Sequence, residues 1–339
     1  MATGNVAKQR RISGGYEVVS PSGKLEEENF DDYSIARYYP VRIGDVLSSR
    51  YEILGKLGFG STSTDCLLNE PPRSRAYATL KVYTRDQDNN EELEMYQYLK
   101  TCSKSHPGYR HVRSALDAFT IPRAGGSHPC IVQKPLWESF RDLLARSPRR
   151  RFSGDLLKAG LHRTLLALDY LHTECHIIHT AVRGDMEHTE DVQPDVYRCS
   201  EVMLQVPWSY PIDIWNLGCV TWGLFEGKHL FYGQDPDDSN PNGTGYTTRA
   251  HLAEVLATLG LPPPDLLARG KRSREFFTEE GQWSSGLEIP EGLNLADSEE
   301  NLEGEIKEQF LDFVRSMLCW RPEDRKTAKE LLEHPWLGR

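Results

Sequence analysis

Residues 211–227, PIDIWNLGCVTWGLFEG, decide the fold, because apolar side chains surround nearly the whole of the helix that they predict. A helix that is apolar on every side must be buried, so this segment predicts the central helix of a core. Residues 153–175 place leucines along one helical stripe, with Ser153 as the expected N-cap. Helical spacing recurs farther along the chain, at residues 251–260, 306–320 and 327–337.

The residues before about position 136 carry shorter patterns. YEILGKLG (51–58), AYATLKVY (76–83) and CIVQKPL (130–136) favour strands, and NNEELEMYQYLKTC (89–102) favours a helix. Strands first and helices afterwards predict an α+β protein with two lobes. We expect a flexible polar tail over 1–34, a β-rich small lobe over 35–135 and an α-helical large lobe over 136–339.

The composition excludes several classes of protein. A formal net charge of −10 argues against wrapping nucleic acid, whose phosphates require a basic surface, and predicts attraction to basic partners. The seven cysteines occur singly, which is typical of reduced thiols in the cytoplasm or nucleus. No segment has the apolar length of a signal peptide or membrane span. We therefore expect a cytoplasmic and/or nuclear monomer.

Two glycines and a lysine suggest a site for an anion. Gly58 and Gly60 follow the first predicted strand, where they would let backbone N–H groups approach nucleotide phosphates. An ordinary hairpin turn is the alternative. Lys81 lies within an otherwise apolar strand, where its ammonium group requires a partner such as Glu92 or a phosphate. At the edge of a sheet, Lys81 would instead reach water.

The order of a GxG loop, a strand lysine and a helix glutamate resembles the small lobe of a protein kinase. Farther along, SEVML resembles the A-P-E segment, DIWNLG the buried D-x-W-x-x-G helix, and CWRPEDRKTAKELLEHPWL the closing segment. The resemblance implies a structural ion pair of Glu201 with Arg325, and an Asp213 that braces the catalytic loop. It also implies ATP and Mg²⁺ as cofactors, with nucleotide-binding residues Leu57, Gly58, Gly60, Ser63, Lys81 and Glu92.

A narrower resemblance, over residues 35–337, is to the SR-protein kinases. It lies in YYPVRIGDVLSSRYEILGKLGFG, QPDVYRCSEVML, PWSYPIDIW and LLARGKRSREFF. The resemblance implies a Ser/Thr kinase that phosphorylates serines of Arg/Ser-rich proteins, including those that act in mRNA splicing. It also implies an acidic docking surface for Arg-rich partners. The loop acids Asp235, Asp237 and Asp238 are candidates for part of that surface.

One contiguous part of the kinase pattern is missing. The long helix is followed by His179-Thr180-Ala181, so alanine occupies the position of the catalytic aspartate. AVRGD begins directly after Thr180 and resembles the sequence that ordinarily follows the metal-binding aspartate. The metal-binding asparagine and the D-F-G segment do not fit between 181 and 201. We therefore expect no catalytic residue and no metal site, only an acidic loop over 185–195 without strands.

Three interpretations remain open. The chain is an inactive or severely impaired kinase that acts as a scaffold for Arg-rich partners, or a truncated splice or gene-model product of an active kinase. The third is an interaction protein without a nucleotide site, because Asp65 replaces the valine that closes over adenine. A zinc site at His172, Cys175, His176 and His179 is the less favoured reading of these residues.

The missing segment also predicts a folding problem. Asp213 would lose its catalytic-loop partner, and an unpaired buried carboxylate costs several kcal/mol against a typical stability of about 5–15 kcal/mol. We therefore expect marginal stability unless residues 181–198 refold to cover this carboxylate.

Overall fold

The computed structural model describes residues 27–30, 34, 37–69, 77–85, 90–179, 182–184, 186–237 and 245–338. They fall into two compact units, the first with residues up to 89 and 117–132, the second with 90–116 and 133 onward. This division differs from the predicted boundary at 135, because the helix predicted at 89–102 groups with the second unit. Most of the predicted tail lies outside the described residues, but Glu27–Asn29 form a short 3₁₀ helix. Because Glu27 is buried and bonded to Lys56 and Thr64, this part is not a free tail.

The first unit is built on a sheet with strand order β1–β2–β3–β4–β6–β5 within the described residues. β1 to β4 pair antiparallel with their neighbours in that order. Period-two alternation buries one face, where Ile53, Leu68 and Leu80 are fully buried. The strands are β1 (Val46–Leu47), β2 (Tyr51–Phe59), β3 (Ser63–Asn69), β4 (Tyr77–Tyr83), β5 (Ala115–Arg123) and β6 (Gly126–Gln133).

The second unit is mainly helical and contains a two-stranded hairpin of β7 (Ile177–Ile178) and β8 (Val182–Arg183). Its longer helices are α1 (Asn90–Thr101), α2 (Phe140–Arg146), α3 (Gly154–Thr173), α5 (Pro211–Glu226), α6 (Thr248–Leu259) and α10 (Gly304–Arg315). Its shorter helices are α4 (Ser200–Leu204), α7 (Pro264–Arg269), α8 (Ser273–Phe276), α9 (Leu295–Ser298) and α11 (Ala328–Leu332). Short 3₁₀ helices cover Pro107–His111, Asp195–Tyr197 and Pro322–Asp324.

The predicted central helix is confirmed as α5. Trp215 and Trp222 of this helix are almost fully buried and belong to one large core that also takes in α3, α6 and α10. α5 ends at Gly227, whose φ of +74° is a left-handed conformation that favours glycine. The predicted cap of α3 is also confirmed, because the Ser153 hydroxyl accepts a bond from the N–H of Leu156.

The structure bears on two expectations about the class of protein, the state of the cysteines and the membrane spans. All seven cysteines lie among the described residues, and none of them forms a disulfide. None of the helices in the described part of the chain has the length and apolar character that crossing a membrane requires.

Candidate functional site

The glycine-rich segment forms a hairpin between β2 and β3. Gly60 N–H donates to the carbonyl of Ser63 at 2.8 Å, and the Tyr38 hydroxyl donates to the Gly60 carbonyl at 3.2 Å. A Cβ atom added at Gly58 or Gly60 would meet nothing within 4 Å. The glycines are therefore not needed for packing, and they leave a bare surface beside the half-exposed Leu57. Tyr38 was missed by sequence reasoning, and no motif points to it.

Lys81 lies directly across the sheet from Asp65. The antiparallel register of β3 and β4 pairs the Cα atoms of these two residues. Side chains of directly opposed residues project from the same face, with Cβ atoms about 5 Å apart. The Lys81 ammonium group also lies 4.6 Å from the centre of the Tyr83 ring. A phosphate approaching Lys81 on this face would therefore meet a carboxylate across the strand pair.

Glu92, the partner suggested for Lys81, lies in the first turn of α1 in the second unit. Within that unit its carboxylate is hydrogen-bonded to the Tyr96 hydroxyl, which accepts a bond from Gln133 at 2.6 Å. Burial and the charge of Glu92 raise the pKa of Tyr96. The candidate nucleotide residues are thus divided, with Glu92 in the second unit and the others in the first.

The expected pairing of Glu201 with Arg325 is confirmed. The two nitrogens of the Arg325 guanidinium donate to the two carboxylate oxygens of Glu201 at 2.6 and 2.7 Å, and both side chains are fully buried. The guanidinium carbon lies 4.9 Å from the centre of the Trp215 ring. Burial opposes the charge on Arg325, but Glu201 outweighs burial, and the pKa of Arg325 is raised. The pair connects α4 to the C-terminal part of the second unit.

The expectation that Asp213 lacks a partner is wrong. Its Oδ2 atom accepts bonds from the backbone N–H of His179 and from Nε2 of His172, each at 2.8 Å. Asp213 is buried, so these bonds compensate the cost of removing its charge from water. The backbone donor survives because His179 precedes the junction. The imidazole of His172 is bonded to this carboxylate, which is not the arrangement of the alternative zinc site.

The chain at the junction folds as an antiparallel hairpin. Ile177 pairs with Arg183 and Ile178 pairs with Val182, so residues 179–181 alone connect the two strands. Thr180 and Ala181 lie outside the described residues. β8 lies before the acidic loop predicted over 185–195, and the described residues of that loop form no strand apart from the single bridge of His188 with Trp208. The chain then passes Gly184, where an added Cβ would lie 2.0 Å from the Tyr210 ring.

The acidic residues that follow β8 are paired with basic groups or exposed to solvent. Arg198 contacts Asp191 at 3.2 Å and Asp195 at 3.1 Å. Glu190 is exposed, and its side chain lies 3.7 Å from His188. Asp185 lies outside the described residues. Sequence reasoning missed Arg198, although it lies among these acids.

Mg²⁺ finds no suitable set of ligands within the described ranges. No group of three or more His, Cys, Asp or Glu residues among them is placed to hold a metal ion. The residues present do not fit the metal that the kinase family implies, because Mg²⁺ requires carboxylate oxygens held at the phosphates. No chemical step through Mg²⁺ is therefore derived for this chain.

Asp235 is not available for docking a basic partner, contrary to the sequence prediction. It is buried, and its two carboxylate oxygens accept bonds from Arg249 at 2.5 and 3.0 Å and from the Thr247 hydroxyl at 2.8 Å. The bond from Arg249 lowers the pKa of Asp235 to about 2. Asp237 is exposed and lies 3.7 Å from Arg249. Asp238 lies outside the described residues.

Comparisons with known proteins agree with the patterns in the sequence. The model of the protein kinase domain matches residues 180–337. A serine/threonine protein kinase of Aspergillus fumigatus is 36% identical over 379 aligned positions, which cover 96% of this chain and 94% of the relative. The serine/threonine-protein kinase SRPK of Physarum polycephalum is 25% identical, with 92% of each chain covered.

A dual specificity tyrosine-phosphorylation-regulated kinase of Caenorhabditis elegans is 25% identical, over 98% of this chain and 43% of the relative. The 379 positions aligned with the Aspergillus kinase exceed the 339 residues of this chain. That relative therefore contains residues with no counterpart here.

Proposed function

The chain belongs to the serine/threonine protein kinases and is similar to their SR-protein-kinase-like members, and from this premise we propose that it binds Arg-rich partners without efficient phosphotransfer. The observation that carries the proposal is the junction hairpin, in which Ile178 pairs with Val182. The kinase pattern requires a catalytic loop and a metal loop between these two strands. Residues 179–181 are too short to supply either.

The energetic cost of this loss is large. A positioned general base contributes roughly 10²–10⁴ in rate. A metal ion that neutralises phosphate charge contributes several kcal/mol more. Together these terms approach the ~8 kcal/mol by which the least effective enzymes lower their barriers. We therefore infer a severely impaired or inactive enzyme.

Nucleotide binding is weakened by a second feature. Asp65 opposes Lys81 across β3 and β4 and projects from the same face. A nucleotide bound on this face would bring its phosphates and its apolar base close to an additional carboxylate, which both disfavour. We therefore propose that ATP binds poorly to this chain whether or not Mg²⁺ accompanies the nucleotide.

The net charge supports a basic partner. At −10 the chain attracts Arg-rich segments over distances comparable with the Debye length. Because Arg249 pairs with Asp235 and also lies 3.7 Å from Asp237, the proposed docking surface must rely on other exposed acids. We propose a cytoplasmic or nuclear scaffold for Arg/Ser-rich proteins of the kind that act in mRNA splicing.

A transfer assay with radiolabelled Mg-ATP and an Arg/Ser-repeat peptide tests the central claim. We expect no incorporation above background, together with salt-dependent binding of the same peptide in fluorescence anisotropy. Phosphorylation at the rate of an intact family member would refute inactivity, and absence of peptide binding would refute the scaffold role.

Thermal-shift titration with ATP tests the role of Asp65. We expect little stabilisation of the natural chain and a larger shift for Asp65→Val. The matched double variant Asp65→Val/Lys81→Met should lose that gain. If Asp65→Val responds to ATP no better than the natural chain, Asp65 is not what weakens binding.

The second candidate is a truncated product of an active kinase. The sequence resembles kinases on both sides of Thr180–Ala181, and the Aspergillus relative contains additional residues. Both observations favour the loss of one contiguous segment over gradual change of the sequence. Transcript sequencing across codons 180–181 distinguishes the two. A transcript that encodes the missing segment would make this chain the shorter form of an active enzyme.

A further inference from the structure

A cavity of about 930 Å³ lies within the second unit, between α1 and α3. We call it the α1–α3 cavity. Each described residue that lines it belongs to the second unit. Its walls come from α1, the segment His111–Arg113, α3 and the junction strand β7 with His179.

The α1–α3 cavity is mainly apolar. Met95 and Leu99 of α1 face Ala167 and Leu171 of α3, and β7 contributes the buried Ile178. Protein interiors are close-packed and leave few voids larger than a water molecule. A volume of this size instead matches ligand pockets, which span roughly 300–1,000 Å³ and have apolar walls with few polar groups.

The polar groups on the wall favour an anion. Arg113 and Arg163 are the basic residues, accompanied by His111 and His179. The acidic residue among the described lining is Glu92, whose carboxylate is hydrogen-bonded to Tyr96.

Arg113 shows an unmet requirement for an acceptor. One terminal nitrogen of its guanidinium donates to the Lys134 carbonyl at 3.4 Å. Its Nε–H is buried and has no hydrogen-bond acceptor among the described residues. Arg113 lines the cavity, so its guanidinium offers a carboxylate there a charge-assisted hydrogen bond.

We propose that the α1–α3 cavity binds one elongated apolar carboxylate of the fatty-acid class. The hydrocarbon chain lies along Leu99, Ala167 and Ile178, and the carboxylate accepts a hydrogen bond from Arg113. The bound molecule fills space beside the junction hairpin and stabilises the folded second unit by mass action. This site shares Glu92 with the candidate nucleotide-binding residues, but binding of the carboxylate requires neither ATP nor an Arg-rich partner.

Dodecanoate and its uncharged analogue dodecanol test the proposal on the full chain. Each is titrated in competition with the fluorescent dye anilinonaphthalene sulfonate, and thermal shift is measured in parallel. We expect saturable displacement by dodecanoate and displacement by dodecanol that is weaker by at least about tenfold, since dodecanol lacks the charged hydrogen bond with Arg113. Equal affinity for the two would overturn the role of the carboxylate.

Two variants locate the hydrocarbon chain. Ala167→Phe fills the cavity and should abolish dodecanoate binding, with Ala167→Leu as a milder version if the larger side chain prevents folding. Ala159→Phe is the matched control on the same helix, at an exposed position that does not line the cavity. Unchanged binding in a folded Ala167 variant, or equal loss in the control, would overturn the proposal.

Two further variants locate the head group. Arg113→Gln should remove the preference for dodecanoate over dodecanol, whereas Arg163→Gln, which changes an exposed arginine on the wall, should largely retain it. If Arg163→Gln removes the preference and Arg113→Gln does not, the assignment of the head group is wrong.

Discussion

Replacing Arg325 by methionine should cause a large loss of stability. The guanidinium donates two bonds to Glu201 and further bonds to the carbonyls of Cys319 and Pro211, at 3.1 and 3.0 Å. Methionine fills part of the volume but donates none of these bonds. Glu201, which is fully buried, would then carry its charge without the arginine.

The expected cost follows from that burial. Removing one partner of a buried ion pair typically costs about 3–5 kcal/mol, because the remaining charge stays out of water. Domains of ordinary stability have about 5–15 kcal/mol in total. We therefore expect Arg325→Met to lower the free energy of unfolding by about 3–5 kcal/mol, enough to leave a fraction of the chain unfolded at room temperature if stability is at the lower limit.

Urea unfolding followed by the fluorescence of the seven tryptophans measures the effect on the whole chain. The single variants Glu201→Gln and Arg325→Met and their double variant form a thermodynamic cycle. The double variant should lose less than the sum of the single losses. Arg321→Met, which breaks an exposed ion pair with Asp265, is the control and should cost below about 1 kcal/mol. A loss for Arg325→Met as small as that of the control, or strictly additive losses, would refute the reasoning.

Asp213→Ala removes the acceptor of two hydrogen bonds and should lower the free energy of unfolding by about 1–3 kcal/mol, measured in urea; an unchanged midpoint would contradict the assigned bonds. The pKa of Asp235 is about 2 in the folded chain, below its ordinary 3.8, because Arg249 bonds to it. The stability that this carboxylate contributes is therefore present above about pH 4 and lost as the pH falls toward 2, so the difference between the natural chain and Asp235→Asn in urea should shrink over that window; a difference independent of pH would exclude this contribution. Gly108→Ala places a Cβ atom 1.8 Å from the Leu166 carbonyl oxygen and should cost at least about 1–3 kcal/mol in thermal unfolding, where a change below 1 °C would show that the backbone yields easily.

The elements that the sequence predicted well are those with a strong period. α3, α5 and the strands β2 and β4 follow from apolar spacing, and the Glu201–Arg325 pair follows from motifs of the family. β3 and β5 were not identified, since their polar residues interrupt the alternation. The opposition of Asp65 and Lys81 could not be predicted, because the number of residues between the two strands does not by itself fix their register.

Other features depend on packing that a linear pattern does not contain. Asp235 is neutralised by Arg249, which lies 14 positions farther along the chain, so its burial could not be inferred from its acidic neighbours. Asp213 keeps a backbone donor because the junction falls just after His179. A junction one or two residues earlier would have removed that donor. The α1–α3 cavity is lined by side chains from four separate segments of the chain, and no sequence motif indicates a cavity.

The pairing of Ile178 with Val182 has a topological consequence. In an antiparallel pair the end of the first strand lies beside the start of the second. The loop that connects them can therefore vary in length without displacing either strand. In the kinase pattern the catalytic and metal loops belong between these two strands, and here the two strands pair directly without them. We therefore expect that a relative's catalytic segment can be inserted between residues 179 and 182 without moving the helices of the second unit.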